Sequence, residues 1–116
     1  MKSCLMAFII SVAATATAYA QGGELQNIGC TAEKSLRSAD GKKATSVTFK
    51  NASSRTVRTY WLDYQGKRVA YERLRPGAEH KQDTYVTHPW VITADGSNDC
   101  VAIFIPEAGS GAAVIR

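Results

Sequence analysis

Short runs of alternating apolar and polar residues, separated by turn signals about every ten residues, constrain this chain most strongly. Asp40-Gly41, Gln65-Gly66, Pro76-Gly77 and the run 95–98 are such turn signals. No long 3.6-residue apolar period appears after residue 20, which argues against a helical fold. The pattern predicts one all-β domain, a sandwich of six or seven short strands. Strands are predicted over residues 45–50, 56–64, 67–74, 79–86, 90–94 and 100–105.

The N-terminus has the features of an export leader. Lys2 provides a positive start, and residues 4–14 form an apolar run that is too short to span a bilayer. Ala18-Tyr19-Ala20 is a small-x-small cleavage site. The sequence therefore predicts a signal peptide over residues 1–20, a lead-in segment over 21–42 and a β domain with a short C-terminal tail over 43–116. We expect the mature protein to be secreted or periplasmic.

Removal of the leader changes the cysteine count, because Cys4 leaves with it. Cys30 and Cys100 remain, and two cysteines in a small exported domain favour one disulfide. A bridge closing so large a loop stabilises the fold by about 4 kcal/mol in the chain-entropy model. Neither cysteine has a second ligand at the spacing of a zinc finger, so we expect no metal site.

The formal charge of +4 at pH 7 is mild and interspersed, and the loss of Lys2 would lower it by one. It suits solubility and requires no acidic partner. Arg68, Arg73 and Arg75 lie near tyrosines, but without a basic run a solvated strand face is the better interpretation. We expect neither nucleic-acid binding nor membrane insertion.

Residues 60–90 contain both tryptophans, four of the five tyrosines and both histidines. Alternation places Tyr60, Leu62 and Tyr64 on the core face of a strand and Trp61 on the face expected to meet water. A binding surface is one explanation for a large aromatic side chain there. The alternative is a tryptophan that packs under a loop or in the second layer of a sandwich.

Five motifs are similar to one family in order and in spacing. The motifs are Phe49-x-Asn51-x-Ser53-x-Arg55-x-Val57, Trp61-Leu62-Asp63-Tyr64-x-Gly66, Tyr71-x-x-Leu74-x-Pro76-Gly77, Thr84-Tyr85-x-x-His88-x-Trp90 and Phe104-Ile105-Pro106. Together they resemble the β domain of the von Hippel–Lindau tumour suppressor, over about residues 47–106, and the resemblance implies a seven-stranded β sandwich.

The resemblance also implies a binding site for an extended peptide that carries 4-hydroxyproline. In that family the imino acid enters an aromatic pocket, and a serine and a histidine hold its hydroxyl. Carried over, the peptide-binding residues are Trp61, Tyr71 and Trp90 as walls, Thr84 in place of the serine, His88 as the histidine, and Tyr85 on the same surface. The family's histidine before the serine is Asp83 here, so the contacts outside the pocket should differ.

A second departure concerns partners, since the sequence ends ten residues after Pro106. The family's helical domain, which recruits the ubiquitin-ligase machinery, has no counterpart in that space. With an export leader as well, we expect no ubiquitin-ligase subunits as partners and a β domain used as a secreted module.

The sequence therefore predicts a non-enzymatic module that binds peptide or protein segments containing hydroxyproline or proline, without a cofactor. The alternative is a secreted protein-interaction or inhibitor domain that keeps the fold but does not use the pocket. His80, Asp83 and His88 are conceivable metal ligands or bases, but no nucleophile or zinc-binding motif accompanies them.

Overall fold

The computed structural model describes residues 23–116, which form seven β-strands and one 3₁₀ helix. The predicted signal peptide, residues 1–20, lies outside the described residues. Across residues 23–116, no helix has the length and apolar character needed to cross a bilayer. The all-β prediction is confirmed. The elements are the 3₁₀ helix Cys30–Ser35 and the strands β1 Ala44–Asn51, β2 Val57–Leu62, β3 Arg68–Leu74, β4 Glu79–Tyr85, β5 Trp90–Ala94, β6 Cys100–Phe104 and β7 Gly111–Ile115.

The strands form two sheets that pack as a sandwich. One sheet has three strands in the order β4-β1-β7, and the other has four in the order β3-β2-β5-β6. β1 and β7 are parallel, and all other neighbours are antiparallel. β3 and β4 follow each other in the chain but are edge strands of different sheets, connected by a turn with Gly77 at φ +84°. One edge of each sheet therefore lies beside the other, and this junction carries the candidate site.

The core lies between the sheets. Phe49 and Trp90 meet edge to face there, with ring centroids 5.5 Å apart. Burying one large apolar side chain stabilises a fold by about 1.5–3 kcal/mol, so this cluster is the main source of stability. Its members are Leu25, Val47, Phe49, Val57, Leu74, Trp90, Ile92, Ala102, Phe104, Ala113 and Ile115.

The buried amide of Asn51 ties three chain segments together beside the β3–β4 turn. Its Nδ2 donates to the carbonyls of Arg55 at 2.8 Å and Leu74 at 2.9 Å, and its Oδ1 accepts the N–H of Ser53 at 3.0 Å. The N–H of Gly77 donates to the Asn51 carbonyl at 2.7 Å. Asn51 thereby fixes the end of β1 and the end of β3. β3 contains Tyr71, one of the residues predicted to bind peptide.

A second apolar cluster covers the outer face of the four-stranded sheet. The 3₁₀ helix is held over that face by the disulfide between Cys30 and Cys100, with Cα atoms 5.8 Å apart, so the predicted bridge is confirmed. Two short contacts from the Arg68 guanidinium to the Glu33 carboxylate, at 2.6 and 2.7 Å, add a bidentate ion pair. The cluster consists of Leu62, Val91 and Ile103, with Leu36, Tyr60 and Cys100 packed against it.

The prediction for the faces of β2 is wrong. Trp61 packs against the core between the sheets, on the same face as Val57 and Thr59, which is fully buried. Leu62 is also fully buried, but in the outer cluster. Both faces of β2 are covered, so alternation could not show which face meets the other sheet.

Tyr64, predicted on the core face, is 45% exposed because the strand has already ended before it. The Asp63 carboxylate accepts the N–H groups of Gln65 and Lys67, both at 2.8 Å, and so closes a turn. Period-two alternation does not extend into a turn.

The lead-in and the C-terminal segment both pack into the sandwich. β7 lies in the segment interpreted as a tail, and it buries Ala113 and Ile115 against the core. Leu25 donates its N–H to the Ala112 carbonyl at 2.7 Å and belongs to the same core. A Cβ at Gly111 would lie 2.9 Å from Leu25 Cγ, so glycine permits this close approach.

Candidate functional site

A pocket of about 210 Å³ opens where the edges of β3 and β4 meet. It is smaller than the 300–1,000 Å³ typical of sites for drug-sized ligands, so it suits one residue of a larger ligand. All six residues predicted to bind peptide line it, together with Tyr64 and Asp83, which were not predicted to do so. The lining residues are Trp61, Tyr64, Tyr71, Asp83, Thr84, Tyr85, His88 and Trp90.

The rear wall is formed by Trp90, which is only 2% exposed. Its ring meets Phe49 in the core and Tyr71 in edge-to-face contacts, with centroids 5.5 Å and 4.9 Å apart. Its Nε1 donates to the Thr84 hydroxyl oxygen at 3.0 Å. Because this oxygen acts as an acceptor, the hydroxyl proton of Thr84 is available to a ligand.

Trp61 forms a second wall, held by a serine outside the predicted site. Its Nε1 donates to Ser38 Oγ at 2.7 Å, and that hydroxyl donates to the Leu62 carbonyl at 2.6 Å. Ser38 is 4% exposed. It lies in the lead-in, where the sequence shows no clear periodicity, and nothing in its neighbours indicated a link to β2.

His88 lies between the walls and is buried. Its ring stacks on Trp61 with centroids 5.5 Å apart, and its Nε2 lies 3.2 Å from the Tyr64 hydroxyl. Burial lowers the pKa of His88, against the opposing effects of the Ala39 and Asp40 carbonyls and the Asp40 charge. The imidazole is therefore neutral at pH 7, with one nitrogen able to donate and one able to accept.

The backbone around His88 is constrained. Thr87 has φ +78°, which is unusual for a β-branched residue, and the N–H of His88 donates to the Tyr85 carbonyl at 3.1 Å. On the other side, a Cβ at Gly41 would lie 3.2 Å from the Tyr64 hydroxyl and 3.6 Å from His88 Nε2. This tight turn and close approach direct the imidazole into the pocket.

A bulge between β2 and β3 aims Tyr71 at the pocket. The register of the two strands shifts between Arg58 and Tyr60, and the Thr59 hydroxyl accepts the N–H of Glu72 at 3.0 Å at that point. Bulges commonly redirect a side chain beside a functional site. Tyr71 is 48% exposed, and it forms the rim of the pocket together with Tyr64 and Tyr85.

A larger cavity of about 860 Å³ lies on another side of the molecule, along residues 30–37 and 65–66. None of the six predicted site residues lines it. Its lining contains no aromatic side chain and mixes one acidic with two basic residues. By volume alone, this larger cavity would be the better candidate for a ligand-binding site. The smaller pocket is the better candidate by its chemistry, because aromatic walls, a hydroxyl and an imidazole converge there.

Metal ligands do not converge in the part of the chain that the structure describes. Over residues 23–116, no group of three or more histidine, cysteine, aspartate and glutamate side chains is arranged to hold a metal ion. His80 does not line the pocket with His88, and its Nε2 lies 3.2 Å from Gln82 Oε1.

In comparison with protein families, residues 36–108 match the VHL beta domain. The chain belongs to the VHL beta domain family. The matched region contains β1 to β6, Ser38 and every lining residue of the pocket, and it ends before β7. The predicted membership of the von Hippel–Lindau β-domain family is confirmed, and so is the sandwich of seven strands that it implies.

Proposed function

We propose that this protein is an exported, non-enzymatic module that binds extended peptide segments and prefers those containing 4-hydroxyproline. The VHL beta domain is a recognition module for hydroxyproline peptides, and this chain belongs to that family. The observation that carries the proposal is the pocket itself. Two indoles and the Tyr71 ring surround one open space into which Thr84 and His88 also face.

The chemistry of the pocket fits a hydroxylated pyrrolidine ring. Trp61, Tyr71 and Trp90 supply rigid aromatic walls for the apolar part of the ring. The Thr84 hydroxyl has a proton to donate, and the neutral His88 imidazole provides a second hydrogen-bonding group. An unmodified proline would leave the Thr84 hydroxyl proton without an acceptor, at a cost of about 1–3 kcal/mol. A pocket that is built to bind a hydroxyl discriminates in this way against a ligand that lacks it.

The backbone next to the pocket supports binding of an extended peptide. Among the strands of residues 23–116, β4 is an edge strand that pairs with β1 alone, so its other side can pair with a further strand. Thr84 lies in β4, so a peptide that pairs with this edge would pass over the mouth of the pocket. Main-chain hydrogen bonds would then supply affinity and the pocket would supply selectivity.

Export is supported by the leader pattern and by the cysteine pair. Structural disulfides form and persist in secreted or periplasmic proteins, and Cys30 and Cys100 are bridged here.

Calorimetric titration with hydroxyproline and proline versions of one peptide tests the proposal. We expect the hydroxyproline peptide to bind at least about tenfold more tightly, equivalent to 1.4 kcal/mol. Trp61→Ala and His88→Ala should each weaken binding, whereas His80→Ala, which changes a histidine outside the pocket, should not. If neither the hydroxyproline nor the proline peptide binds detectably, in several sequence contexts, the proposal is wrong.

The alternative is a protein-interaction or inhibitor domain that does not use the pocket. Capture of a protein partner that is unchanged in a Trp61→Ala, His88→Ala double variant would favour this alternative.

A further inference from the structure

The lining of the pocket contains one carboxylate, that of Asp83, which directly precedes Thr84 in β4. Thr84 is buried and faces the core side, whereas Asp83 and Tyr85 are exposed on either side of it. Asp83 therefore lies at the rim of the pocket and is accessible to the part of a ligand that remains outside.

The charge of the pocket is negative because of this residue. Its lining includes neither lysine nor arginine, and burial lowers the pKa of His88 so that the imidazole is neutral at pH 7. Glu24, Glu33 and Asp95 form ion pairs with arginines, whereas Asp83 forms none within residues 23–116. Lys81 lies on the same face of β4 but does not line the pocket.

From this arrangement we infer that Asp83 makes the pocket selective for basic peptides, with a lysine or arginine immediately beside the imino acid. The inference rests on the proposed function, because it assumes that an extended peptide pairs with the edge of β4. It adds a requirement for a cationic side chain at a defined position.

The alternation of strands gives the position of that side chain. If the imino acid occupies the pocket on the Thr84 side, the residues immediately before and after it point to the opposite face. Asp83 and Tyr85 lie on that face and flank Thr84. Directly opposed side chains on paired strands have Cβ atoms about 4.5–5.5 Å apart, so a lysine or arginine at one of these two positions reaches the Asp83 carboxylate.

The aromatic rim favours the same class of ligand. Tyr85 and Tyr71 are 40% and 48% exposed and line the same pocket as Asp83. The apolar stem of lysine or arginine packs on such rings, and its charged end gains cation–π attraction. An acidic neighbour of the imino acid would instead face the Asp83 carboxylate, and like charges in opposed positions destabilise pairing.

A peptide set that varies only the charge beside the imino acid tests the inference. Each peptide carries one hydroxyproline with lysine, alanine or glutamate directly before or directly after it, which covers both directions of strand pairing. Binding is measured by calorimetry at low and high salt with four proteins: wild type, Asp83→Asn, Asp83→Lys and the control Glu79→Gln. Glu79 lies on the same strand and the same exposed face but does not line the pocket.

With wild type, we expect the lysine peptide to bind about fivefold more tightly than the glutamate peptide in one of the two positions, and salt should reduce the difference. Asp83→Asn should abolish this preference, Asp83→Lys should reverse it, and Glu79→Gln should leave it unchanged. Circular dichroism of each variant verifies that the exposed substitutions leave the fold intact.

Two other outcomes are distinguishable. Trp61→Ala, the pocket variant of the first titration, is measured with the same peptides. If the peptides bind and Trp61→Ala weakens that binding, but there is no charge preference or a preference that Asp83→Asn retains, the inference is wrong and the proposed function stands. If no peptide binds, whatever its charge or hydroxylation, the proposed function fails and the inference fails with it.

Discussion

At the scale of single residues, the pocket depends on buried polar groups that hold aromatic rings in place. Ser38 links the Trp61 indole to the Leu62 carbonyl, and Thr84 holds the Trp90 indole. Each indole N–H is thereby paired, so both rings can remain half-buried or buried without leaving an unpaired donor. Rigid walls of this kind reduce the ordering cost of ligand binding.

Ser38→Ala tests the support of Trp61. The substitution leaves the indole N–H and the Leu62 carbonyl without their hydroxyl partner, so we expect the free energy of unfolding to fall by about 1–3 kcal/mol. Urea denaturation followed by circular dichroism measures this change. Ser35→Ala is the matched control, because the Ser35 hydroxyl donates to the Ala32 carbonyl at an exposed site. A loss no larger than that of Ser35→Ala would show that the Ser38 link does not support the fold.

His88 makes stability depend on pH in a defined direction. Burial lowers its pKa in the folded protein, whereas an imidazole in the unfolded chain has a pKa of about 6.5. Between these two pKa values the unfolded chain binds more protons, so the free energy of unfolding falls as the pH falls from about 6.5 toward the folded pKa. Well above pH 6.5 both states hold a neutral imidazole, and this contribution is constant.

Urea denaturation over a pH series measures this contribution. His88→Gln should remove part of the loss of stability below pH 6.5, and the control His80→Gln should retain it. The same pH dependence in wild type and in His88→Gln would contradict the burial of a neutral imidazole.

At the scale of elements, the 3₁₀ helix and its tether explain how a segment without regular alternation becomes part of the fold. The disulfide and the ion pair between Arg68 and Glu33 hold the helix over the outer face of the four-stranded sheet. Ser38 lies three residues after the end of this helix and accepts the indole N–H of Trp61. The tether therefore acts on the pocket as well as on the outer cluster.

A double Cys30→Ser, Cys100→Ser variant tests the role of the tether. We expect it to lose up to about 4 kcal/mol of stability, since the unfolded chain regains the freedom of a large loop. It should also expose the outer cluster around Leu62, which increased binding of an apolar dye would report. An unchanged unfolding midpoint in urea and unchanged dye binding would show that the ion pair and packing hold the helix without the bridge.

At the scale of the whole molecule, the fold class and most of the pocket residues could be predicted from the periodicity and spacing of residues in the sequence. Turn pairs such as Pro76-Gly77 and short alternating runs indicated an all-β sandwich, and the motifs indicated residues that do line one pocket. Periodicity could not assign Trp61 to a face, because both faces of β2 are covered. Periodicity also gave little indication of β7. Its glycine and two alanines are small residues that show no clear apolar alternation, and they contribute to the fold by packing closely against β1 and Leu25.

In the proposed binding mode, one imino acid of an extended ligand lies between the two indoles, and the indole N–H signals test this position most directly. Trp61 and Trp90 are the two tryptophans of the chain, and both line the pocket. In a nitrogen–proton correlation spectrum, both indole signals should shift as hydroxyproline peptide is added, with one common affinity. The matched proline peptide should require about tenfold higher concentration for the same shift. If a hydroxyproline peptide binds while both indole signals stay in place, the ligand lies elsewhere and the account is contradicted.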